Sequence, residues 1–483
     1  MKMTTPIWDF VREYAELKLK SNIARLHMPG HKGRNFIGCE LYDITEISGA
    51  DELYAPDNMI QESECNASAL YNSGYTAYSC EGSSQCIKAM IYLAVMNFNF
   101  KLNHAAGTRP VILAARNAHQ SFLHAAALCD ADIVWLYPEN LNNNLNNISS
   151  LCSCIINPEN LKSKLKELKL KSRLPAAVYL TSPDYLGGLQ DIKILSQIAH
   201  DYGVLVLIDN AHGAYLKFLE NSRHPLDLGA DLCCDSAHKT LPVLTGGAYL
   251  HISKQAQKTA SINAAQVKQA MKIFGSTSPS WLILSSLDLC NLYLYQDYKT
   301  RLKNFISRLD AVKIILRENG WDIVNSDPLR ITICGDGDFI IKKLKSGGVE
   351  WEYADLNFVV LMATPENTQE DLNKIIRALG EIPAKNSNQD KNNKNNQNPG
   401  KYHANIDINN ILNAQTVMTP REALFAPSER VDIKNAAGRI CAAPLISCPP
   451  AIPIAIAGEL ISRDIIDLFL YYGVREIDVV REK

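Results

Sequence analysis

The run Val204-Leu205-Val206-Leu207-Ile208-Asp209-Asn210-Ala211-His212-Gly213 decides the fold. Five consecutive apolar residues leave no polar face. Strands covered by helices on both sides read this way, and such strands belong to parallel sheets. Downstream, Leu232-Cys233-Cys234-Asp235 repeats the pattern and runs into Ser236-Ala237-His238-Lys239-Thr240. Around these two strands the chain alternates short β-rich runs with helical patterns. Strands are predicted over 111–115, 133–137, 177–181, 204–209, 232–235 and 248–252, and helices over 83–96, 120–129, 158–169 and 192–202. That alternation gives an α/β domain with a mostly parallel sheet.

The chain of 483 residues is too long for one core and predicts two or three domains. We divide it into an N-terminal arm (1–55), a large domain (56–290), a small α+β domain (291–384), a linker (385–404) and a C-terminal α+β domain (405–483). A helix over 297–319, stopped by Gly320, opens the small domain. The linker is rich in Asn and Lys and has nothing apolar to bury. With 47% apolar residues, 21% charged residues and a net charge of −2, the composition is that of a soluble globular protein. It does not favour nucleic acid or a membrane as partner. The N-terminus does not read as a signal peptide, so a cytoplasmic protein is expected. The 13 cysteines are scattered without paired spacing beside histidines. They read as buried thiols, and no metal site is expected.

In open α/β sheets, ligands bind beyond the carboxyl ends of the strands. Asp209 and Lys239 therefore point to one rim. An aspartate at a strand end is commonly a helix cap, and a loop lysine is usually just solvated. The order Asp, then Ser-x-His-Lys after the next strand, with Gly246-Gly247 behind, is far more specific. It suits pyridoxal 5'-phosphate (PLP): the lysine forms the Schiff base and the carboxylate pairs with the pyridine nitrogen. Gly82-Ser83-Ser84 opens a helical pattern, as a serine cap or as a phosphate cradle; upstream of the Asp/Lys pair the cradle is preferred. His119 follows the strand over 111–115, either as a helix cap or as a ring to stack on the cofactor.

These motifs resemble those of the Orn/Lys/Arg decarboxylases, fold-type-I PLP enzymes of the PLP-dependent transferase class. The run 236–245 (SAHKTLPVLT) is similar to the family's PLP-lysine motif. Leu26-His27-Met28-Pro29-Gly30-His31-Lys32 looks like its N-terminal H-x-P-G-H-K. Asp43-Ile44-Thr45-Glu46 with Asp51-Glu52-Leu53, and Gly275-Ser276-Thr277-Ser278-Pro279-Ser280, look like later segments. Ala437-Gly438-Arg439-Ile440 with Pro449-Pro450-Ala451-Ile452-Pro453 resembles the C-terminal one. Two positions depart from the pattern: Ala451 replaces a glycine, and Ala457-Gly458-Glu459 replaces P-G-E. The first motif begins at residue 27, as in the shorter, biosynthetic-type members.

The resemblance implies a role for each matching residue. Lys239 carries PLP, Asp209 pairs with the ring nitrogen, and His119 stacks on the ring. Gly82, Ser83, Ser84, Ser236 and His238 form the phosphate pocket, and Ala211 and His212 flank the ring. Thr277 reaches the phosphate of a neighbouring subunit, in a homodimer or larger homo-oligomer with shared sites. The implied reaction is α-decarboxylation of arginine, lysine or ornithine to a polyamine precursor and CO2. Lys239 or His238 returns the proton to Cα. The cationic side chain of the substrate needs an acidic pocket, for which Glu429, Asp51 and Glu52 are the candidates. An aminotransferase on the same fold, with Arg330 holding the substrate carboxylate, and a non-catalytic relative are the alternatives. Retention of both Lys239 and Asp209 speaks against the latter.

Overall fold

A computed structural model describes residues 3–20, 23–101, 109–138, 153–382, 414–443 and 452–482. The linker over 385–404 and the departure at Ala451 fall outside the described residues. The chain divides into two compact units. The first comprises Met1–Leu136, Ile156–Ser182 and Gln190–Thr300; the second comprises Tyr137–Ile155, Pro183–Leu189 and Arg301–Lys483.

The first unit is built on a seven-stranded sheet. In chain order its strands are β1 (Tyr75–Ser79), β2 (Val111–Ala115), β3 (Asp132–Leu136), β4 (Ala177–Thr181), β5 (Leu205–Asp209), β6 (Leu232–Asp235) and β7 (Ala248–Ile252). Their order across the sheet is β1-β7-β6-β5-β4-β2-β3, with β7 antiparallel to both neighbours and the remaining pairings parallel. β2, β5, β6 and β7 are buried along their whole length, with apolar residues broken only by His251 in β7 and by the aspartates that end β5 and β6. The edge strand β3 is only partly covered.

Helices follow the strands, and their ends obey local rules. α1 (Pro6–Lys20) and α2 (Met59–Tyr71) precede the sheet. α3 (Gly82–Lys101) follows β1, α4 (Gln120–Leu128) follows β2, and α5 (Pro158–Leu170) lies between β3 and β4. Asn157 caps α5 with Pro158 in the first turn, where proline's missing N–H costs nothing. α6 (Ile192–Asp201), capped by Asp191, buries Ile192, Leu195 and Ala199 along one stripe. The strand β1 was not predicted. The remaining predicted strands and helices recur with ends moved by a few residues.

After β7 come α7's neighbours in the chain: α7 itself (Ala237–Thr240) precedes β7, and α8 (Lys254–Thr259), α9 (Ala264–Ile273) and α10 (Trp281–Gln296) follow it. The expected division after residue 290 falls inside α10, whose helix runs on to Gln296, and the first unit extends to Thr300, at the start of the next helix. α11 (Tyr298–Glu318) ends as predicted at Gly320, which sits at φ +92° and donates its N–H to the Arg317 carbonyl at 3.0 Å.

The second unit holds a four-stranded antiparallel sheet and a two-stranded one. The larger contains the strand Arg330–Cys334, and the smaller pairs Ser428–Asp432 with Glu476–Val480. The glycine kept in the Ala457-Gly458-Glu459 departure has a physical reason: Gly458 lies at φ +93°, and a Cβ there would stand 2.1 Å from the Met418 carbonyl oxygen.

Candidate active site

Parallel β1, β2, β5 and β6 place their carboxyl ends on one rim of the sheet, and antiparallel β7 begins there. Asp209 is the last residue of β5. Its side chain is 3% exposed, so its charge must be satisfied locally. The Tyr179 hydroxyl donates to Oδ2 at 3.1 Å and the Ala211 N–H to Oδ1 at 3.1 Å, with the Cys234 thiol at 3.6 Å. Burial, then the carboxylate beside it, pushes the Tyr179 phenol far above its usual range, so it stays a donor.

Lys239 lies in the short helix α7, directly after β6. Its side chain is exposed, and Nζ is 2.8 Å from Nε2 of buried His212. His212 stands three residues after Asp209, so one turn delivers a carboxylate and an imidazole to the lysine's rim. His119 caps α4, its Nδ1 accepting the Ser121 N–H at 3.2 Å. It therefore does serve as a cap. Crowding by neighbouring atoms lowers its pKa; Asp209 opposes this and Lys239 adds to it. Both are thus within electrostatic reach of the ring.

The glycine-serine segment folds as a cradle. Gly82 adopts φ +69°, and its N–H donates to the Gly246 carbonyl at 2.7 Å. Gly246 itself has φ +101°, and a Cβ there would stand 2.8 Å from the Cys80 carbonyl oxygen. Only glycine allows this approach. The Ser236 hydroxyl donates to Ser83 Oγ at 2.8 Å, joining the start of α7 to the start of α3. Ser84 lies in the same first turn of α3. His238 Nδ1 is 3.0 Å from the Gly247 carbonyl, and its ring edge would lie 4.0 Å from a Cβ on Gly82. Burial lowers the His238 pKa, against the pull of that carbonyl. Thr277 is exposed in the loop before α10, and the adjacent Ser276 N–H donates to Glu81 Oε1 at 3.2 Å. The loop thus lies beside the cradle of its own chain.

These residues fit PLP. An exposed amine, a buried and oriented carboxylate, and a helix start with two hydroxyls and a Cβ-free approach match its aldehyde, ring nitrogen and phosphate. His212 is expected from the motif to flank the ring, but its contact with Lys239 leaves no mark in the sequence. Tyr179 was missed altogether. Within β4 it reads as one more apolar core residue, and only the strand register, which sets Thr181 against Asp209, brings it near.

The proposed acidic residues fare differently. Asp51 is corrected: both its oxygens are taken by backbone N–H groups of Glu52, Asp57, Asn58 and Ile60, at 2.9–3.2 Å. It is a buried anchor for the start of α2 and has no oxygen left for a cation. Glu52 is half exposed and stands 3.8 Å from Lys272. Glu429, in the second unit, pairs with Arg439 at 2.6 Å. Arg330 is 1% exposed, bonded to Asp327 at 3.1 Å and to the Asp184 carbonyl. An arginine so committed is not placed to take a substrate carboxylate.

Comparison with known proteins agrees with this geometry. The family model "Orn/Lys/Arg decarboxylase, major domain" matches residues 8–369, and "Orn/Lys/Arg decarboxylase, C-terminal domain" matches residues 408–475. An uncharacterized protein of Bacillus subtilis is 28% identical over 96% of this chain and 93% of its own. The arginine decarboxylase of the same organism is 27% identical over 95% and 92%. The solved constitutive lysine decarboxylase of E. coli has the same fold, with a TM-score of 0.74 and 17% identity over 99% of this chain and 82% of that one. The chain belongs to the Orn/Lys/Arg decarboxylase family.

Proposed function

We propose that this chain removes the α-carboxylate of a basic amino acid as CO2, with PLP held at Lys239. The observation that carries the reading is the junction at the rim: Asp209, buried and oriented, three residues before a histidine 2.8 Å from the Lys239 amine. When bound, PLP supplies the sink for the electron pair left at Cα. The chain's residues do the rest. His212 Nε2 accepts a proton from the Lys239 ammonium and so leaves the amine nucleophilic. Asp209, locked by Tyr179 and Ala211, holds a proton at the ring nitrogen. His119 offers its ring face to the cofactor. Gly82, Ser83, Ser84 and Ser236 take the phosphate, and His238, with Nδ1 engaged by Gly247, shapes that pocket. Lys239 then returns a proton to Cα, with His212 behind it.

The reading extends to a cytoplasmic homodimer or larger homo-oligomer in which Thr277 serves the neighbouring site. Support for an assembly comes from the arm, where Leu26 (92%), Phe36 (75%) and Ile37 (84%) stand exposed close together in sequence, an apolar surface that a lone chain leaves wet. No helix among the described residues is long and apolar enough to cross a membrane. The substrate is arginine, lysine or ornithine, with Glu52 and Glu429 as candidates for its cationic end. We retain the division into arm, large, small and C-terminal domains, with the large domain carried on to about residue 300.

The test is CO2 release from the three amino acids in parallel, with added PLP, for wild type and Lys239→Ala. Release from one of them, lost in the variant, is the expected result. Uptake of PLP on Lys239 without CO2 release from any of the three overturns the reaction and leaves the cofactor site standing.

A further inference from the structure

Behind the rim lies a second carboxylate that the reaction does not touch. Asp235 ends β6, just as Asp209 ends the neighbouring β5. It is fully buried, together with His224, His251 and Asn210. Its Oδ2 is 3.0 Å from His224 Nε2 and 3.3 Å from His251 Nε2. Its Oδ1 accepts Asn210 Nδ2 at 2.6 Å, with the Cys233 thiol at 3.6 Å. Among the described residues, His224, Asp235 and His251 form the one trio with metal-ligating side chains drawn together.

Hydrogen bonding accounts for Asp235 and His251 without an ion, while His224 is held through Nε2 alone and its buried Nδ1 meets no partner among the described residues. A carboxylate oxygen can only accept, so each Nε2 carries a hydrogen. His251 Nδ1 meets the Thr76 hydroxyl at 2.8 Å, which in turn meets Ser73 at 2.8 Å. Both nitrogens of His251 are thus used; in the neutral ring Nε2 donates to Asp235 and Nδ1 accepts from Thr76. Burial lowers its pKa, Asp235 opposing, which agrees with the neutral form. Burial alone would raise the Asp235 pKa, but the two histidines outweigh it and hold the carboxyl below its ordinary range. One ionised carboxylate thus ties together β1, β6, β7, the segment at His224 and the turn after β5.

That last tie matters for the site. Asn210 follows Asp209 directly and precedes His212 by two residues. Its N–H donates to the Cys234 carbonyl at 3.0 Å, and its carbonyl accepts the Gly213 N–H at 2.8 Å. A Cβ on Gly213 would stand 2.0 Å from Asn210 Oδ1, so the amide is packed closely against that glycine. The turn that presents Asp209 and His212 is therefore pinned to Asp235. From Asp235 the chain passes straight into Ser236-Ala237-His238-Lys239.

We propose that Asp235 is a positioning residue for the reaction: through Asn210 it sets where Asp209 and His212 stand relative to Lys239. This rests on the PLP reading above. The Asn210–Asp235 bond fixes the spacing of the two chain segments that share the cofactor, while the histidines keep the carboxylate charged and immobile.

The test exchanges the two partners. Asn210→Asp sets two acceptors against each other. The double variant Asn210→Asp/Asp235→Asn restores one donor and one acceptor with the charge moved across the bond. PLP affinity is measured by titration of the apo-protein, along with the absorbance of the Lys239-bound cofactor, kcat and KM. We expect Asn210→Asp to lose about tenfold or more in PLP affinity, equivalent to about 1.4 kcal/mol. Its bound-cofactor spectrum should change, and kcat should fall more than KM rises. The double variant should recover to within about threefold of wild type. Should Asn210→Asp not fold, as judged by its urea transition, Asn210→Ala, which only removes atoms, replaces it with the same expected loss. Variants that bind PLP with wild-type affinity and spectrum overturn the inference, as does a loss that the exchange leaves unmended. If wild type itself never takes up PLP on Lys239, the function reading fails and the inference fails with it.

Discussion

Two aspartates end two adjacent strands of one sheet, both nearly without solvent, and they do opposite things. Asp209 takes one phenol and one backbone N–H and stands at the open rim beside the turn that carries His212. Asp235 takes two imidazoles and one amide and faces the core, where Tyr71 lies 4.3 Å from the His251 ring. The end of a strand is therefore not enough to make a residue catalytic. What decides is how much of the carboxylate its neighbours use and whether the remainder faces a ligand. Asp209 is held by few donors and is left something to do. Asp235 is held by several and becomes part of the frame.

Asp209→Asn is the substitution that most sharply separates the two. It should lower kcat by on the order of 10²–10³ while leaving the apo-protein's urea midpoint near wild type, since charge at the ring nitrogen acts on the reaction and not on the fold. Equal losses of stability and turnover would erase the distinction. Next in size is Gly246→Ala, aimed at the phosphate cradle at the rim. The new Cβ meets the Cys80 carbonyl at 2.8 Å. We expect a loss of about 1–3 kcal/mol in unfolding free energy and weaker PLP binding, both read by titration with and without phosphate.

Tyr179→Phe removes one of Asp209's two firm donors. The expected cost is about 0.5–1.5 kcal/mol, or roughly three- to tenfold in kcat/KM. No change would mean that Ala211 alone orients the carboxylate. The smallest effect is a trend with pH at a third buried carboxylate, Asp288. Burial raises its pKa from 3.8 to about 7, although Ser63 and the N–H groups of Ile7 and Trp8 pull the other way. A group that binds its proton more tightly when folded stabilises fully below its unfolded pKa of 3.8, and that contribution is lost as pH rises through about 7. The stability of wild type relative to Asp288→Asn should therefore fall between about pH 4 and pH 7 in urea titrations and level off above that. A flat difference would show that Asp288 is ionised throughout.

Much of the first unit was legible because its strands are buried on both faces and so carry no alternation to misread. Asp209, Lys239 and the glycine-serine cradle were legible because turn chemistry and strand ends leave marks in sequence. Other features left no mark. The strand Tyr75–Ser79 mixes polar and aromatic residues and reads like the loop around it. Asp51 resembled a substrate carboxylate, because a capping aspartate and a binding aspartate are the same residue until the backbone N–H groups converge on it. Tyr179, His224 and His251 act through register and packing between segments far apart in the chain, and no local pattern encodes that. The boundary drawn at residue 290 lies inside a helix for a related reason: Trp281–Gln296 carries apolar residues on most of its faces, so nothing in its pattern shows which unit it joins.

The central claim is that Lys239 carries the cofactor opposite Asp209. Its most direct test is borohydride reduction of the PLP-loaded protein followed by peptide mass mapping. The account predicts a phosphopyridoxyl group on the peptide containing Lys239, and no stable label in Lys239→Ala. A label fixed on a different lysine, with CO2 release intact, would contradict it.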